Sequence, residues 1–305
     1  MPREEFLVSA ESGAGLRLDV FLASHVAGLT RSQAGKAADE GRVLVNDVPK
    51  KPAAILRPGD RVVLVRPEAQ PAGLEAQDIP LQILYRDEDL IVVDKPFGLV
   101  VHPGAGVRSG TLANALLHAF PEVLWVGEGD RPGIVHRLDM ETSGVMVVAR
   151  SPRAYESLKE QFKDRRVKKV YRALVWGRMR RLEGLIDAPI GRHPRHGQRM
   201  SVKTRRPRAA ETRYTVLEEF PQTTLLEVRP LTGRTHQIRV HLAAAGHPLV
   251  GDTRYGRKKG GRRYPRLFLH ACRLAFAHPA TGQPVEFSSP LPPELEAVLR
   301  AEREP

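Results

Sequence analysis

The hydrophobic pattern of residues 1–66 predicts a small folded unit whose core spans residues 16–66. Apolar residues recur at helical spacing after Leu16, and Thr30 is a suitable N-cap for a second helix that ends at Gly41. Two short β-branched runs follow, with a turn at Asn46-Asp47 after the first. The predicted elements are helices over 16–22 and 31–40 and strands at 43–45 and 61–65.

Residues 67–80 are rich in Ala, Pro, Glu and Gln and are predicted to link this unit to a larger domain over residues 81–305. The apolar runs of this larger domain include both strand and helix periodicities, but strands and helices do not alternate regularly as they do in a doubly wound fold. One helix is predicted to begin with Ser151 as its N-cap and Pro152 as its first residue. A second helix is predicted to end at Gly246. The predicted strands are 90–93, 99–101, 145–148, 168–176 and 225–228.

The charge balance narrows the class of partner. The chain has 48 Lys and Arg against 35 Asp and Glu, a formal net charge of +13. Such an excess favours a polyanion, with nucleic acid as the first expectation and an anionic membrane surface as the second. The basic residues concentrate at 163–169, 192–208 and 254–266, whereas a charge that serves only solubility would be spread evenly.

Several classes of protein and site are excluded. The single cysteine, Cys272, leaves no disulfide framework and no cysteine-rich zinc site, and its apolar neighbours indicate a core residue. Neither a signal peptide nor an apolar run of membrane-spanning length is found, so we expect a cytoplasmic protein without membrane association. No metal site is predicted from the histidines, because they lack a carboxylate at ligand spacing: His193, His196, His236 and His241.

The stretch from His136 to Gly144 carries the most information. It sets Asp139 between an arginine and a Thr-Ser-Gly turn, just before a buried strand, and thus on a loop at the edge of a sheet. An isolated aspartate in such a place is most often a turn former. However, the whole stretch resembles the H-R-L-D-x-x-[ST]-[ST]-G signature of the RluA family of RNA pseudouridine synthases, in which the aspartate is catalytic.

Two further segments carry the same resemblance. Residues 234–239 resemble the family motif G-R-x-H-Q-[IL]-R, whose last arginine, here Arg239, pairs with the catalytic aspartate. Tyr171 matches the family tyrosine that stacks on the target base. The three matches occur in order, about 30 and 70 residues apart. The resemblance therefore implies that Asp139, Tyr171 and Arg239 are the catalytic residues, and that Arg137 and Arg234 bind RNA.

The resemblance covers nearly the whole chain and implies its fold class. That class is α+β, with a catalytic domain on a long, bent, mixed and mostly antiparallel sheet, plus a small N-terminal S4 domain. The S4 module presents basic residues of a helix pair and a hairpin to structured RNA; the alternative is a small appendage without a ligand. The expected phosphate contacts are Arg31, Lys36, Arg42, Lys50 and Lys51.

The chemistry of the family needs neither cofactor nor metal, because turning uridine into pseudouridine breaks the N-glycosidic bond and rejoins the uracil through carbon. Asp139 either attacks C1′ as a nucleophile or takes the C2′ proton as a base. A cation, for which Arg239 is the candidate, would keep this carboxylate ionised in a partly dry pocket. Arg137 is expected either to enter the RNA when the uridine leaves the stack or to form a structural salt bridge.

The substrate follows from the resemblance alone. Lys95-Pro96 and residues 102–106 resemble the D-type large-subunit enzymes of the family, which implies uridines in helix 69 of 23S ribosomal RNA; other ribosomal RNA or transfer RNA sites stay open. The expected partner is this RNA or its assembling precursor particle, and the chain is expected to be a monomer. A non-catalytic S4-type ribosome assembly factor is the alternative from another class, and it would tolerate Asp139→Asn.

Overall fold

The computed structural model describes residues 3–11, 13–26, 29, 31–65, 74–104, 106–128, 131–196, 199–256 and 264–304, without the side chains of residues 3, 32, 33, 36 and 128. The chain divides into two compact units, Met1–Ala72 and Gly73–Pro305. Several predictions fall outside the described residues: the N-cap at Thr30, the side chain of Lys36, residues 67–73 of the linker, and parts of the second and third basic clusters.

The N-terminal unit combines two helices with a sheet. Its elements are β1 (Arg3–Leu7), α1 (Leu18–His25), α2 (Arg31–Asp39), β2 (Val43–Val45), β3 (Val48–Pro49) and β4 (Arg61–Val65). The described strands pair antiparallel in the order β1-β4-β2-β3. Asn46 and Asp47 have φ values of 52° and 63°, as a type I′ turn between β2 and β3 requires. The predicted helices and strands of this unit are confirmed, whereas β1 was not predicted.

The larger unit contains strands distributed along its whole sequence. Its strands are β5 (Gln82–Arg86), β6 (Leu90–Lys95), β7 (Gly127–Glu128), β8 (Arg131–Pro132), β9 (Ser143–Ala149), β10 (Lys168–Trp176), β11 (Glu183–Asp187), β12 (Gly191–Arg192), β13 (Met200–Ser201), β14 (Glu211–Glu219), β15 (Thr223–Pro230), β16 (Leu269–Ala277) and β17 (Pro284–Ser288). Its helices are α3 (Leu112–Ala119), a 3₁₀ helix (Pro121–Trp125), α4 (Pro152–Lys163), α5 (Gln237–Ala244) and α6 (Pro293–Arg303).

Nine of the described strands form one large sheet. Their order is β11-β14-β15-β10-β16-β9-β6-β5, with β17 paired to β16. The pair β9 and β16 is parallel, and the other described pairs of this sheet are antiparallel. This mixed, mostly antiparallel sheet with helices outside it confirms the α+β fold class.

Strand β9 forms the centre of the largest hydrophobic core. All seven of its residues are buried, as expected for an unbroken apolar run flanked by strands on both sides. Helix α4 follows it directly and is capped at Ser151, whose hydroxyl accepts a hydrogen bond from the amide of Ala154. Since β9 begins at Ser143, inside the Thr-Ser-Gly segment, its burial holds the preceding loop at the sheet edge.

The predicted strand at 99–101 is wrong. The carbonyl oxygens of Val100 and Val101 accept hydrogen bonds from the amides of Leu112 and Ala113, at the start of α3. These bonds give hydrogen-bond acceptors to amides that are otherwise unpaired at a helix N-terminus. Residues 99–101 therefore cap α3 and join no sheet. None of the helices in the described part of the chain combines the length and apolar character needed to cross a membrane.

Candidate active site

A cavity of about 600 Å³, which we call the Asp139 cavity, opens in the larger unit. It lies between the loop that follows β8, strand β10, and the segment that joins β15 to α5. Asp139, Tyr171 and Arg239, the three predicted catalytic residues, all line it. Asp139 is the only acidic residue among the described lining residues, whose cations are Arg131, Arg137, Lys163, Arg165, Lys169, Arg234 and Arg239.

Backbone contacts shape the loop that carries Asp139. The amide of Thr142 donates to the carbonyl oxygen of Asp139 at 3.0 Å and closes a turn. At Gly144 the φ angle is +120°, and an added Cβ would lie 2.2 Å from the carbonyl oxygen of Ala271. Only glycine therefore lets β9 approach β16 this closely at the end of the loop. The carboxylate of Asp139 keeps 18% of its side-chain surface exposed, so it can meet a ligand in the cavity.

Lys95 anchors the loop from the protein interior. Its side chain is fully buried, and its ammonium donates to the carbonyl oxygens of Pro96 at 2.8 Å, Leu99 at 2.9 Å and Met140 at 3.4 Å. Burial lowers the pKa of Lys95 to about 7, although the charge of Asp139 opposes this shift. Lys95 thus holds the residue next to Asp139, a role that the sequence pattern alone did not signal.

His136 orients the loop as a neutral imidazole. Its Nε2 accepts a hydrogen bond from the amide of Val147 at 3.0 Å, and its ring stacks on Phe162 at 4.6 Å. Burial lowers the pKa of His136 to about 3, with the charge of Lys169 acting in the same direction. The uncharged ring therefore links the loop to β9 and α4.

Arg239 is held by carboxylates other than Asp139. Its Nε and Nη2 donate to the two carboxylate oxygens of Asp252 at 2.8 and 2.9 Å, and Nη2 lies 2.8 Å from Glu141. Burial lowers the pKa of Arg239, but the hydrogen bonds and charge of Asp252 outweigh this effect and raise it above its ordinary value. Among the described residues no ion pair joins Arg239 to Asp139, so the expected direct pairing is corrected: the guanidinium is oriented by the buried Asp252 instead.

His236 lies close to Asp139, a contact that the sequence analysis did not predict. Its Nε2 lies 4.0 Å from Asp139 Oδ1, and its Nδ1 lies 2.8 Å from the hydroxyl of Tyr255. The residue adopts a left-handed φ of 54° at the N-cap of α5. Burial lowers the pKa of His236 in spite of the Asp139 carboxylate. The strained backbone and the contact with Tyr255 aim this neutral ring into the cavity.

Gln237 holds the segment before α5 in place. Its amide nitrogen donates to the carbonyl oxygen of Glu211 at 2.9 Å, and its amide oxygen accepts from the backbone of Arg234 at 2.9 Å and from Thr232 at 2.7 Å. This buried amide is therefore satisfied on both sides and ties the segment to β14. Arg234 also donates from its Nε to the carbonyl oxygen of Ala209 at 3.1 Å.

Tyr171 reaches the cavity from β10, beside an irregularity in the pairing of β10 with β16 between Val170 and Tyr171. Burial first, and the charge of Asp139 second, raise the pKa of the Tyr171 hydroxyl above its ordinary value. A neutral phenol is thus held near the carboxylate. Thr142 is 2% exposed, and its hydroxyl oxygen has no hydrogen-bond partner among the described residues, so a polar group is left for a ligand in the cavity.

Comparison with known families decides which reaction this site serves. Residues 89–244, about half of the chain, match the model of the RNA pseudouridylate synthase family, and residues 16–62 match that of the S4 domain. The chain belongs to the RNA pseudouridylate synthase family. It is therefore an isomerase, an RNA pseudouridine synthase with an N-terminal S4 domain.

Relatives of this synthase match along most of its length. The ribosomal large subunit pseudouridine synthase D of Xanthomonas campestris is 44% identical over 310 residues, 97% of this chain and 92% of the relative. The protein of the same name from Nitrosomonas europaea is 43% identical over 298 residues, 95% of this chain and 85% of the relative. The solved structure of human RNA Pseudouridylate Synthase Domain Containing 1 aligns with a TM-score of 0.59 at 31% identity, over 75% of this chain and 97% of that structure.

The basic residues predicted to contact RNA differ in their surroundings. In the S4 domain, Arg31 Nε lies 3.1 Å from Asp19 and Arg42 Nε lies 2.8 Å from Glu40, so these two guanidinium groups are held by carboxylates. Lys50 and Lys51 are exposed. In the synthase domain Arg137 is exposed at the Asp139 cavity, and the structure shows it in no salt bridge within the described residues.

The sequence analysis missed residues that contact the predicted site residues but lie far from them along the chain. Asp252 follows Gly251, a sequence typical of an ordinary turn. The neighbouring residues give no indication that its carboxylate is buried. His236 lies inside a recognised motif, but its orientation depends on Tyr255, which is 19 residues away. These contacts arise only when α5 and the following loop fold together.

Proposed function

We propose that this RNA pseudouridine synthase isomerises uridines of large-subunit ribosomal RNA, with Asp139 as the catalytic carboxylate. One observation carries the assignment of Asp139: it is the only carboxylate among the described residues lining a cavity rich in cations. The names of the relatives from Xanthomonas campestris and Nitrosomonas europaea support the substrate class. Positive surroundings of this kind suit both an anionic RNA and an ionised aspartate.

Asp139 has two chemical routes. As a nucleophile it forms a bond to C1′ of the ribose while the N1–C1′ bond breaks, and as a base it takes the C2′ proton while the same bond breaks. In the first route the detached uracil turns and bonds to C1′ through C5 while the bond between Asp139 and C1′ breaks; in the second it forms the same C5–C1′ bond and the proton on Asp139 returns to C2′. In either route C5 then loses its hydrogen as a proton and N1 takes up a proton. The product is an isomer of the substrate, so the carboxylate is regenerated.

Tyr171 and Arg239 are proposed to support this chemistry in different ways. The ring of Tyr171 offers a flat apolar surface on which the uracil can stack while it is detached from the ribose. Arg239 contributes positive charge to the Asp139 cavity, and Asp252 and Glu141 keep it oriented. Its effect on Asp139 is thus electrostatic and acts through space, which favours the ionised carboxylate.

The basic residues around the site are proposed to hold the RNA. Arg137 is exposed beside Asp139 and can fill the space that the uridine leaves when it turns out of the stack. Arg234 lines the same cavity and can contact a phosphate. In the S4 domain the proposed phosphate contacts are Arg31, Lys36, Arg42, Lys50 and Lys51.

Tritium release from RNA with 5-tritiated uridine tests the role of Asp139, because every turnover replaces the C5 hydrogen. We expect Asp139→Asn to lower the rate at least about a hundredfold, since it keeps the shape of the side chain but removes its nucleophilicity and basicity. RNA affinity, measured in parallel, should be retained. A rate close to that of the wild type would refute the assignment, and absence of release by the wild type would favour the assembly-factor alternative.

Helix 69 is the proposed target within the ribosomal RNA. The segment that resembles the D-type enzymes, residues 102–106, includes His102, which lines the Asp139 cavity. We expect tritium release from a transcript that contains helix 69 and loss of this release when the uridines of helix 69 are replaced by cytidine. Release that survives this replacement would move the target to another site.

A further inference from the structure

A second cavity, of about 550 Å³, lies beside the Asp139 cavity. The two cavities share four lining residues, Arg165, Lys169, Pro230 and Leu231. A ligand that extends out of the Asp139 cavity therefore meets the second cavity across this shared wall. An RNA strand is such a ligand, because the target uridine is joined to a nucleotide on either side.

The second cavity combines apolar walls with cations that reach solvent. Val167 and Val170 are buried in its wall, next to Pro230 and Ala275. Its cations are Arg165, Lys168, Lys169, Arg229 and Arg273. A base needs apolar surface and its phosphate needs cations, and this cavity offers both within the size range of small-ligand pockets.

The five cations that line this cavity outnumber the three carboxylates beside them, which are Glu211, Glu227 and the lining residue Glu286. Glu227, which is 8% exposed, lies 2.6 Å from Arg172, 2.5 Å from Arg229 and 3.7 Å from Arg273. Arg273 also lies 3.8 Å from Glu286. The carboxylates thus orient the guanidinium groups without neutralising all of them, and positive charge remains for an anion.

We propose that the second cavity binds a nucleotide next to the target uridine, with its base against the apolar walls and its phosphate among the cations. This assignment rests on the proposed function, because it takes the ligand to be the substrate RNA. Lys169 stands at the junction of the two cavities and donates to the carbonyl oxygen of Thr232 at 3.3 Å. Burial lowers the pKa of Lys169 to about 8, and a phosphate beside it would favour its charged form.

Two variants test the apolar wall and the cations of the second cavity separately. Ala275→Leu fills the apolar wall without a change of charge, and Arg229→Gln removes one cation. Their matched controls are Ala277→Leu, two residues further along β16 on the same face, and Arg303→Gln, an exposed arginine that also binds a glutamate. Neither Ala277 nor Arg303 lines either cavity. The probe is the ribosomal RNA transcript with 5-tritiated uridine.

We expect Ala275→Leu to raise KM about tenfold with little change in kcat, because a lost base contact weakens binding and leaves the Asp139 chemistry intact. Arg229→Gln should reduce the slope of log affinity against log salt concentration by about 0.7 to 0.9, the value for one phosphate contact. Loss of kcat alone would indicate a structural role and overturn the proposal. Values equal to those of Ala277→Leu and Arg303→Gln would also overturn it.

The source of the nucleotide and the proposed function are tested separately. Free uridine monophosphate, titrated in equilibrium binding, should bind far more weakly than the RNA; tight binding that Ala275→Leu abolishes would assign the cavity to a free nucleotide instead. If the wild type releases tritium and the variants keep its KM and salt slope, the proposed role of the second cavity is refuted and the proposed function is retained. If the wild type releases none, the RNA affinity and salt slope of the variants still decide whether the cavity binds RNA.

Discussion

At the scale of single residues, the site depends on a buried carboxylate and a buried amide that hold its other residues in place. Asp252 is fully buried and binds Arg239 through two hydrogen bonds, while Gln237 satisfies the backbone of the preceding segment. Such groups are costly to bury unless they are fully paired. Their pairing therefore explains how a charged guanidinium can be kept rigid at the wall of a polar cavity.

Asp252→Asn should destabilise the synthase domain by about 3 kcal/mol, because it leaves the buried charge of Arg239 with only the partly exposed Glu141. Glu141→Gln is the matched control and should cost no more than about 1 kcal/mol, since Glu141 is 24% exposed. Denaturant unfolding measures both variants, and tritium release should fall more in the first. Equal losses in the two variants would contradict this account of Arg239.

At the scale of elements, the loop that carries Asp139 is held from three directions. Strand β9 follows it and is buried throughout, His136 ties it to β9 and α4, and Lys95 at the end of β6 binds the carbonyl oxygen of Met140. Two of these restraints come from neighbouring strands in the sheet. The loop is consequently rigid because of the sheet order, which brings β6 beside β9.

The stability of the synthase domain should depend on pH through Lys95. Because burial lowers its pKa to about 7 from 10.5, the folded protein binds fewer protons than the unfolded chain between these values. The contribution of Lys95 to the free energy of unfolding therefore rises with pH in this window, by at most about 1.4 kcal/mol per pH unit.

Denaturant unfolding of the wild type and of Lys95→Met from pH 7 to 10 measures this effect as a difference that grows with pH in favour of the wild type. Lys203→Met, at an exposed position, is the control. A constant difference between wild type and Lys95→Met across this range would show that Lys95 does not change its protonation on unfolding. Tritium release should also fall in Lys95→Met, since the loop loses one of its restraints.

At the scale of the whole molecule, charge organises the binding of the substrate. The net charge of +13 is carried by two units, and each has basic residues that we propose to contact RNA. Contacts with phosphates release counterions, so each one adds to the salt dependence of binding. The S4 domain should thus contribute affinity that is sensitive to salt, while the Asp139 cavity provides the chemistry.

Lys50→Gln combined with Lys51→Gln should reduce the slope of log affinity against log salt concentration by about 1.4 to 1.8, the value for two phosphate contacts. The double variant Arg300→Gln and Arg303→Gln in α6 removes the same charge elsewhere and should change the slope less. Fluorescence anisotropy with labelled ribosomal RNA, at several salt concentrations, gives both slopes. If the two double variants behave alike, total charge rather than the S4 surface determines binding.

The sequence by itself determined what depends on local pattern. The apolar run of β9, the cap of α4 at Ser151, and the turn at Asn46 and Asp47 follow from neighbouring residues, so they were predicted and confirmed. The motifs around Asp139 also lie within short segments, and the family comparison agrees with the reaction that they indicate. The placement of Tyr171 in β10 followed from the alternation of residues 168–176.

Only the tertiary structure decided which charges meet. Arg239 binds Asp252, 13 residues away, and not Asp139; the carbonyl oxygens of Val100 and Val101 cap α3 and form no strand. These outcomes depend on which surfaces pack together, and burial then makes each pairing far stronger than it would be in water. A local pattern contains neither the partner nor the burial, which is why the second cavity and its arginines also emerged only from the fold.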